Sequence, residues 1–193
     1  SMIMYTTTFA NVVLLSLFLQ YLKDVGPVMV GCLLMLQPVI MTVVSPIAGR
    51  LSDQIDPRIL AMTGMVVTGF SHGILSTIDS TASMELIGVC MVLNGVGFSL
   101  FSSPNANSIM GAIGRENYGR AGSAIAVMRV FGQMSSMALV TLVFTLVIGA
   151  RKIEPFIYAE LTEAIQTCFT IGACLCLFFV LVISVRYKSA NVS

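Results

Sequence analysis

Apolar residues run through this chain in long uninterrupted blocks, with polar and charged residues gathered into short stretches between them. A bilayer crossing by an α-helix takes about 20 predominantly apolar residues. Six runs meet that length: Ile3–Leu22, Val28–Ala48, Ile59–Ile78, Met84–Ala112, Ala121–Ile148 and Ala164–Val185. Four contain no Asp, Glu, Lys or Arg, the fourth run opens with Glu85, and the fifth carries Arg129 well inside it. The pattern predicts an all-α integral membrane protein, with residues 1–193 forming a single bundle of six transmembrane helices. The fourth and fifth runs exceed the bilayer thickness, so those helices should tilt, kink or protrude.

The connections are short and carry turn residues. Lys23–Pro27 contains Gly26 and Pro27, Asp79–Ser83 is polar, and Ile113–Arg120 holds Gly114, Asn117 and Gly119. The longest runs from Gly149 to Glu163. Its piece Pro155–Glu163 reads as an interfacial turn of helix, with Phe156, Ile157 and Tyr158 on the membrane and Glu160 and Glu163 in water. Basic residues set the sidedness. Arg50, Arg58, Arg115, Arg120, Arg186 and Lys188 fall on one side, against Lys23, Arg151 and Lys152 on the other. That bias places both termini in the cytoplasm. The opening Ser1-Met2 has no basic flank, and no small-residue cleavage site follows the first span. It reads as part of a longer chain rather than as a signal peptide.

Composition agrees with the pattern. The chain is 56% hydrophobic and 10% charged, with a mean hydropathy of +0.94; soluble domains carry roughly 25% charged residues. A soluble enzyme and a disordered chain are both excluded on that ground. A net charge of +1 gives no pull toward nucleic acid. Cys32, Cys90, Cys168, Cys174 and Cys176 sit in apolar runs without CxxC spacing. A single His cannot complete a zinc site with them, so they read as small apolar fillers. Neither a P-loop nor a Ser-His-Asp set is present, and neither a metal nor an organic cofactor is expected.

The segment between the second and third runs reads Gly49-Arg50-Leu51-Ser52-Asp53-Gln54-Ile55-Asp56-Pro57-Arg58. Gly49 permits close helix approach. Asp53 is an anion suited to a helix N-terminus. Arg50 and Arg58 suit carboxylates or lipid phosphates. This segment resembles the loop signature of the major facilitator superfamily, G-x-L-a-D-r-x-G-r-r, with Gln54 in place of the usual Arg and Asp56 in place of the second Gly. Around it stand Leu17–Leu22, Pro46-Ile47-Ala48, Asn94–Phe98, Ser103–Asn107, Tyr118–Ser123 and Arg129–Gln133. In order and spacing these look like the C-terminal half of the fourteen-helix drug:proton antiporter branch. The resemblance implies one of two six-helix bundles, each built of two inverted three-helix repeats. It also implies secondary active, proton-coupled export of small molecules or drugs across the plasma membrane, with an N-terminal six-helix half as partner.

The resemblance turns the first and fourth helices toward a central cavity, and both are spotted with polar residues. Asn11 and Gln20 on the first, and Asn94, Ser102 and Asn105 on the fourth, are the candidate substrate contacts. The competing reading makes such residues hydrogen-bonding glue between helices. Arg129, with Gln133 one turn further, is either a charge partner for substrate or for a carboxylate elsewhere, or an Arg that snorkels to the cytoplasmic surface. His72 stands on a helix that the resemblance makes peripheral, so no proton-carrying role is expected of it. Gly69-x-x-x-Gly73 reads as packing. Pro38, Pro46 and Pro104 should kink their helices. Asp and Glu occupy only connections and span ends, so a coupling carboxylate is expected in the other half. Gly49, Arg50, Asp53 and Arg58 are expected to act as a conformational gate. Two alternatives remain open at this stage: a non-transporting six-helix membrane module, and a half-size transporter working as a homodimer.

Overall fold

The computed structural model describes residues 2–149 and 157–190, and within these every regular element is helical. Six helices are long and apolar enough to cross a membrane: α1 (Met2–Leu22), α2 (Pro27–Leu51), α3 (Pro57–Leu75), α4 (Met84–Gly111), α5 (Tyr118–Val147) and α6 (Tyr158–Ala190, apolar through Ser184). The expected all-α membrane bundle is what the chain forms.

Local chemistry explains where each helix starts and stops. The last turn of α1 widens into a π-turn over Phe18–Leu22, with the Lys23 N–H donating to the Phe18 carbonyl at 3.3 Å. The chain then reverses through Asp24 at φ 51°, a left-handed conformation that Asp tolerates far better than a β-branched residue. Pro27 opens α2, where its missing N–H costs nothing. Regular hydrogen bonding in α2 breaks at Met35, because Pro38 has no N–H to offer the Leu34 carbonyl. Pro46 and Pro104 lie inside regular helix. Asp56 Oδ1 accepts from the Arg58 N–H at 2.9 Å and caps α3, with Pro57 in the first helical position. Ser83 Oγ does the same for α4 through the Leu86 N–H at 3.2 Å.

One expected element takes a different form. Tyr158–Glu163 is the opening of α6 itself, while residues 150–156 lie outside the described ones. Ile157 is buried in the main core instead of lying along the membrane surface. Glu163 is exposed as expected, but Glu160 is half-buried with its Oε2 enclosed. The apolar run that follows propagates helix back through this polar turn, so amphipathicity over a few residues was a poor guide to its path.

The helices pack in a definite pairing. The main contacts join α3 to α4, α2 to α4, α3 to α6, and α1 to α5. Exchanging the first three helices for the last three maps α1–α5 onto α4–α2 and α3–α6 onto itself, the relation expected of two three-helix repeats. Close approach depends on glycine. A Cβ on Gly64 would meet the Gly97 carbonyl oxygen at 2.5 Å, and one on Gly132 would meet the Met2 carbonyl oxygen at 2.7 Å. Gly69 lies against Cys176 of α6, whereas a Cβ on Gly73 would meet nothing within 4 Å, so only one glycine of that pair is a packing glycine. The largest core joins Leu14, Phe18, Leu75, Met91, Leu161 and Phe169 from four helices.

Asp79, in the connection between α3 and α4, illustrates a surface turn that responds to pH. Its carboxylate accepts from the Thr81 hydroxyl at 2.6 Å and the Thr81 N–H at 2.8 Å, and these bonds hold its pKa below the ordinary carboxylate range. A depressed folded pKa stabilises the fold above the unfolded value of about 4, and that contribution fades as pH falls through the folded value. Asp79→Ala should therefore melt slightly below the parent at neutral pH. The gap should close under strong acid, measured by thermal denaturation in detergent across a pH series.

Candidate functional site

The polar residues of the spans fall into two groups, those that join helices inside the bundle and those on uncovered faces. Asn11 is fully buried, and its Nδ2 donates to Gln37 Oε1 of α2 at 3.0 Å. Asn94 is equally enclosed, donating to Ser71 Oγ of α3 at 2.8 Å and to the Cys90 carbonyl at 3.0 Å. Thr6 Oγ1 donates to the Gly132 carbonyl at 3.1 Å, joining α1 to α5. Ser45 donates to Ser99 at 3.3 Å, joining α2 to α4. Bonds of this kind tie the helices together, and each is worth roughly 0.6 kcal/mol in a membrane bundle. In this structure Asn11 and Asn94 thus spend their donors on neighbouring helices.

The other candidates lie apart from one another. Gln20 is exposed in the π-turn, with its Nε2 donating to Ser16 Oγ at 2.8 Å. Ser102 and Asn105 are half-buried near the opposite end of the bundle, and Asn105 has an interaction partner of its own. Arg129 is exposed and Gln133 half-buried on α5. Neither the groove nor the cavity described below is lined by any of them. From Gly122 to Phe131 no side chain of α5 is buried, so the other helices cover little of this stretch.

Sequence reasoning passed over an open groove built from two spans. It lies between α2 and α4 and is lined by Pro38, Met41, Thr42, Ser45, Pro46 and Ser103. Pro38, Thr42, Ser45 and Pro46 recur at i, i+4, i+7 and i+8, which is one face of a helix. That spacing was the available signal, hidden by the apolar character of the run as a whole. α2 is the least covered span, with 11% of its most apolar stretch buried.

The loop signature closes the same end of α2. Gly49 lies in the last turn, where an added Cβ would stand 3.0 Å from Ser103 Oγ. Ser52 is buried, donates to the Gly49 carbonyl at 2.6 Å and accepts from Asn107 Nδ2 of α4 at 3.0 Å. The loop is thereby fastened to α4 by Ser52 and Asn107, neither of which stood out in the sequence as part of a gate. Arg50, Asp53 and Arg58 are exposed. The carboxylate that caps the following helix is Asp56, which explains why Asp stands where the signature has its second Gly.

Among the described residues no group of His, Cys, Asp and Glu is placed to hold a metal ion. The family model of the Major Facilitator Superfamily matches residues 1–191. The chain is 32% identical over 116 residues to the riboflavin transporter RibZ of Clostridioides difficile (strain 630), covering 60% of this chain and 25% of that protein. It is 33% identical over 130 residues to the uncharacterized transporter YebQ of Escherichia coli (strain K12), covering 66% of this chain and 28% of that protein. The matched segments thus span about a quarter of each relative. With a family match along nearly its whole length and six membrane-spanning helices to carry it, this chain is an integral membrane protein and a member of the major facilitator superfamily of transporters.

Proposed function

We propose that this chain is the C-terminal six-helix bundle of a proton-coupled exporter of small organic molecules, with both termini in the cytoplasm. The observation that carries the reading is the α2–α4 groove. It is a shallow, open groove, apolar at Pro38, Met41 and Pro46 and furnished with the hydroxyls of Thr42, Ser45 and Ser103. Ligand sites commonly have this mixture of apolar walls and a few polar groups. The uncovered stretch Gly122–Phe131 supports a second six-helix bundle as the neighbour that completes the cavity. Arg129 on that stretch suits a carboxylate of the neighbour or of the substrate. The described spans carry Glu85, Glu160 and Glu163 only near their ends, so the carboxylate that exchanges protons is assigned to the neighbour. Drug export follows the sequence resemblance, while the name of one relative points to riboflavin; both are flat or amphipathic organic solutes suited to such a wall.

The groove is tested by labelling. In the intact transporter, Ser45→Cys should react with a small polar maleimide, and saturating substrate should slow that reaction several-fold. Val43→Cys, exposed on the side of α2 turned away from Ser45, should show no such protection. Equal rates with and without substrate in the Ser45→Cys variant would remove the groove from the transport path.

A further inference from the structure

The resemblance makes His72 peripheral, yet the residue is 2% exposed and its ring lies in the interior of the bundle. The absence of a side chain on Gly172 makes room for it: a Cβ there would stand 2.9 Å from the imidazole Cδ2. Phe169 packs edge-on against the ring, with centroids 5.5 Å apart. His72 Nδ1 lies 2.9 Å from the Thr68 carbonyl oxygen. A carbonyl only accepts, so the neutral ring that makes this bond carries its proton on Nδ1 and presents Nε2 as an acceptor, with the Thr7 backbone also beside the ring. That Nε2 is enclosed and has no hydrogen-bond partner among the described residues.

A second enclosed group without a partner stands across from it. Ser136 of α5 is fully buried, and its Oγ makes no hydrogen bond among the described residues. His72 and Ser136 line one small cavity, with Thr6 and Thr7 of α1 and Phe169 and Gly172 of α6. Its volume is about 10 Å³, close to the least that admits one water molecule. Thr7 Oγ1 donates to the backbone of its own helix and lies beside the Cys176 thiol, and a hydroxyl with two lone pairs can still accept a further donor.

We propose that this cavity binds a single structural water. The water donates to His72 Nε2 and to Thr7 Oγ1 and accepts from the Ser136 hydroxyl, so both orphaned groups gain a partner. Three partners are typical of a buried water. The chemistry of the lining favours water over a cation. Cys168 is the only other titratable side chain on its wall, and no carboxylate lines it among the described residues. A desolvated cation would stand there without a counter-charge. The water joins α1, α3 and α5 beside the direct bond from Thr6 to the Gly132 carbonyl.

The experiment is solid-state NMR of the intact transporter in bilayers, with ¹⁵N-labelled histidine and His72 assigned by difference against His72→Gln. The expected spectrum shows a protonated Nδ1, a bare Nε2, and a cross-peak from Nε2 to a slowly exchanging water. Ser136→Val should fill the cavity and abolish that cross-peak, while Ser136→Ala should retain it. Absence of the cross-peak in the parent protein would overturn the proposal, whatever the variants do. So would an imidazolium pattern at neutral pH, or a cross-peak that survives Ser136→Val.

Discussion

Gly64→Val should be among the most damaging single substitutions in the bundle, lowering stability by about 3 kcal/mol or more, the upper end of ordinary overpacking costs. α3 and α4 touch backbone to backbone at this point. A Cβ on Gly64 would meet the Gly97 carbonyl oxygen at 2.5 Å and the Phe101 nitrogen at 2.9 Å, and neither is a flexible side chain able to swing away. The helices would have to separate, and the enclosed bonds of Asn94 to Ser71 and Cys90 lie on the same interface. Gly97→Val should behave alike, since its Cβ would run into the Thr68 hydroxyl and the Gly64 carbonyl. Gly73→Ala is the control. It meets nothing within 4 Å and gains helix propensity, so it should be neutral or mildly stabilising. Unfolding in detergent, followed by the temperature of half-loss, checks the ranking. Equal effects at Gly64 and Gly73 would show that the α3–α4 contact is not set by glycine.

The second large effect is expected in transport. Asp53→Asn in the intact transporter should cut the transport rate about tenfold, a coupling of modest size for a conformational switch, with substrate affinity nearly unchanged. Asp53 is exposed at the end of α2, outside the groove, so it has no route to the ligand in this structure. Its loop is held to α4 through Ser52 and Asn107, so a change in the loop reaches α4 directly. On the gate reading, the carboxylate favours one arrangement of the helix ends over another. Paired measurements of equilibrium binding and of flux separate the two contributions. A normal flux at normal expression, or a loss of binding equal to the loss of flux, would contradict the gate reading.

The six spans could be read in the sequence because their length and lack of charge leave a backbone in lipid few alternatives to helix. Short connections with Gly, Pro and Asp were equally legible, and Asp56-Pro57 carried a helix-start signal that the family signature obscured. The direction of polar side chains was not legible. Asn11, Ser16 and Gln20 share one half of a helix circumference, yet Asn11 bonds inward to Gln37 while Gln20 is exposed. Periodicity places residues on a face without saying which helix will cover it, and that depends on contacts distant in the chain. His72 shows the same limit, because its inward position depends on a glycine about a hundred residues away at Gly172. The groove was missed for a related reason: α2 is rich in apolar residues on every side, and only its uncovered state reveals the stripe Pro38, Thr42, Ser45, Pro46.

The central claim is that this bundle forms one wall of a carrier whose proton-exchanging group lies in a companion bundle. The most direct measurement reconstitutes the 193-residue chain in liposomes, alone and together with the companion six-helix polypeptide, and follows riboflavin and a cationic dye by fluorescence after a pH jump. The account predicts flux no greater than in protein-free liposomes for the chain alone, and pH-driven flux when both bundles are present. Flux driven by a pH gradient through this chain alone, and abolished by mutating one of its own residues, would contradict it.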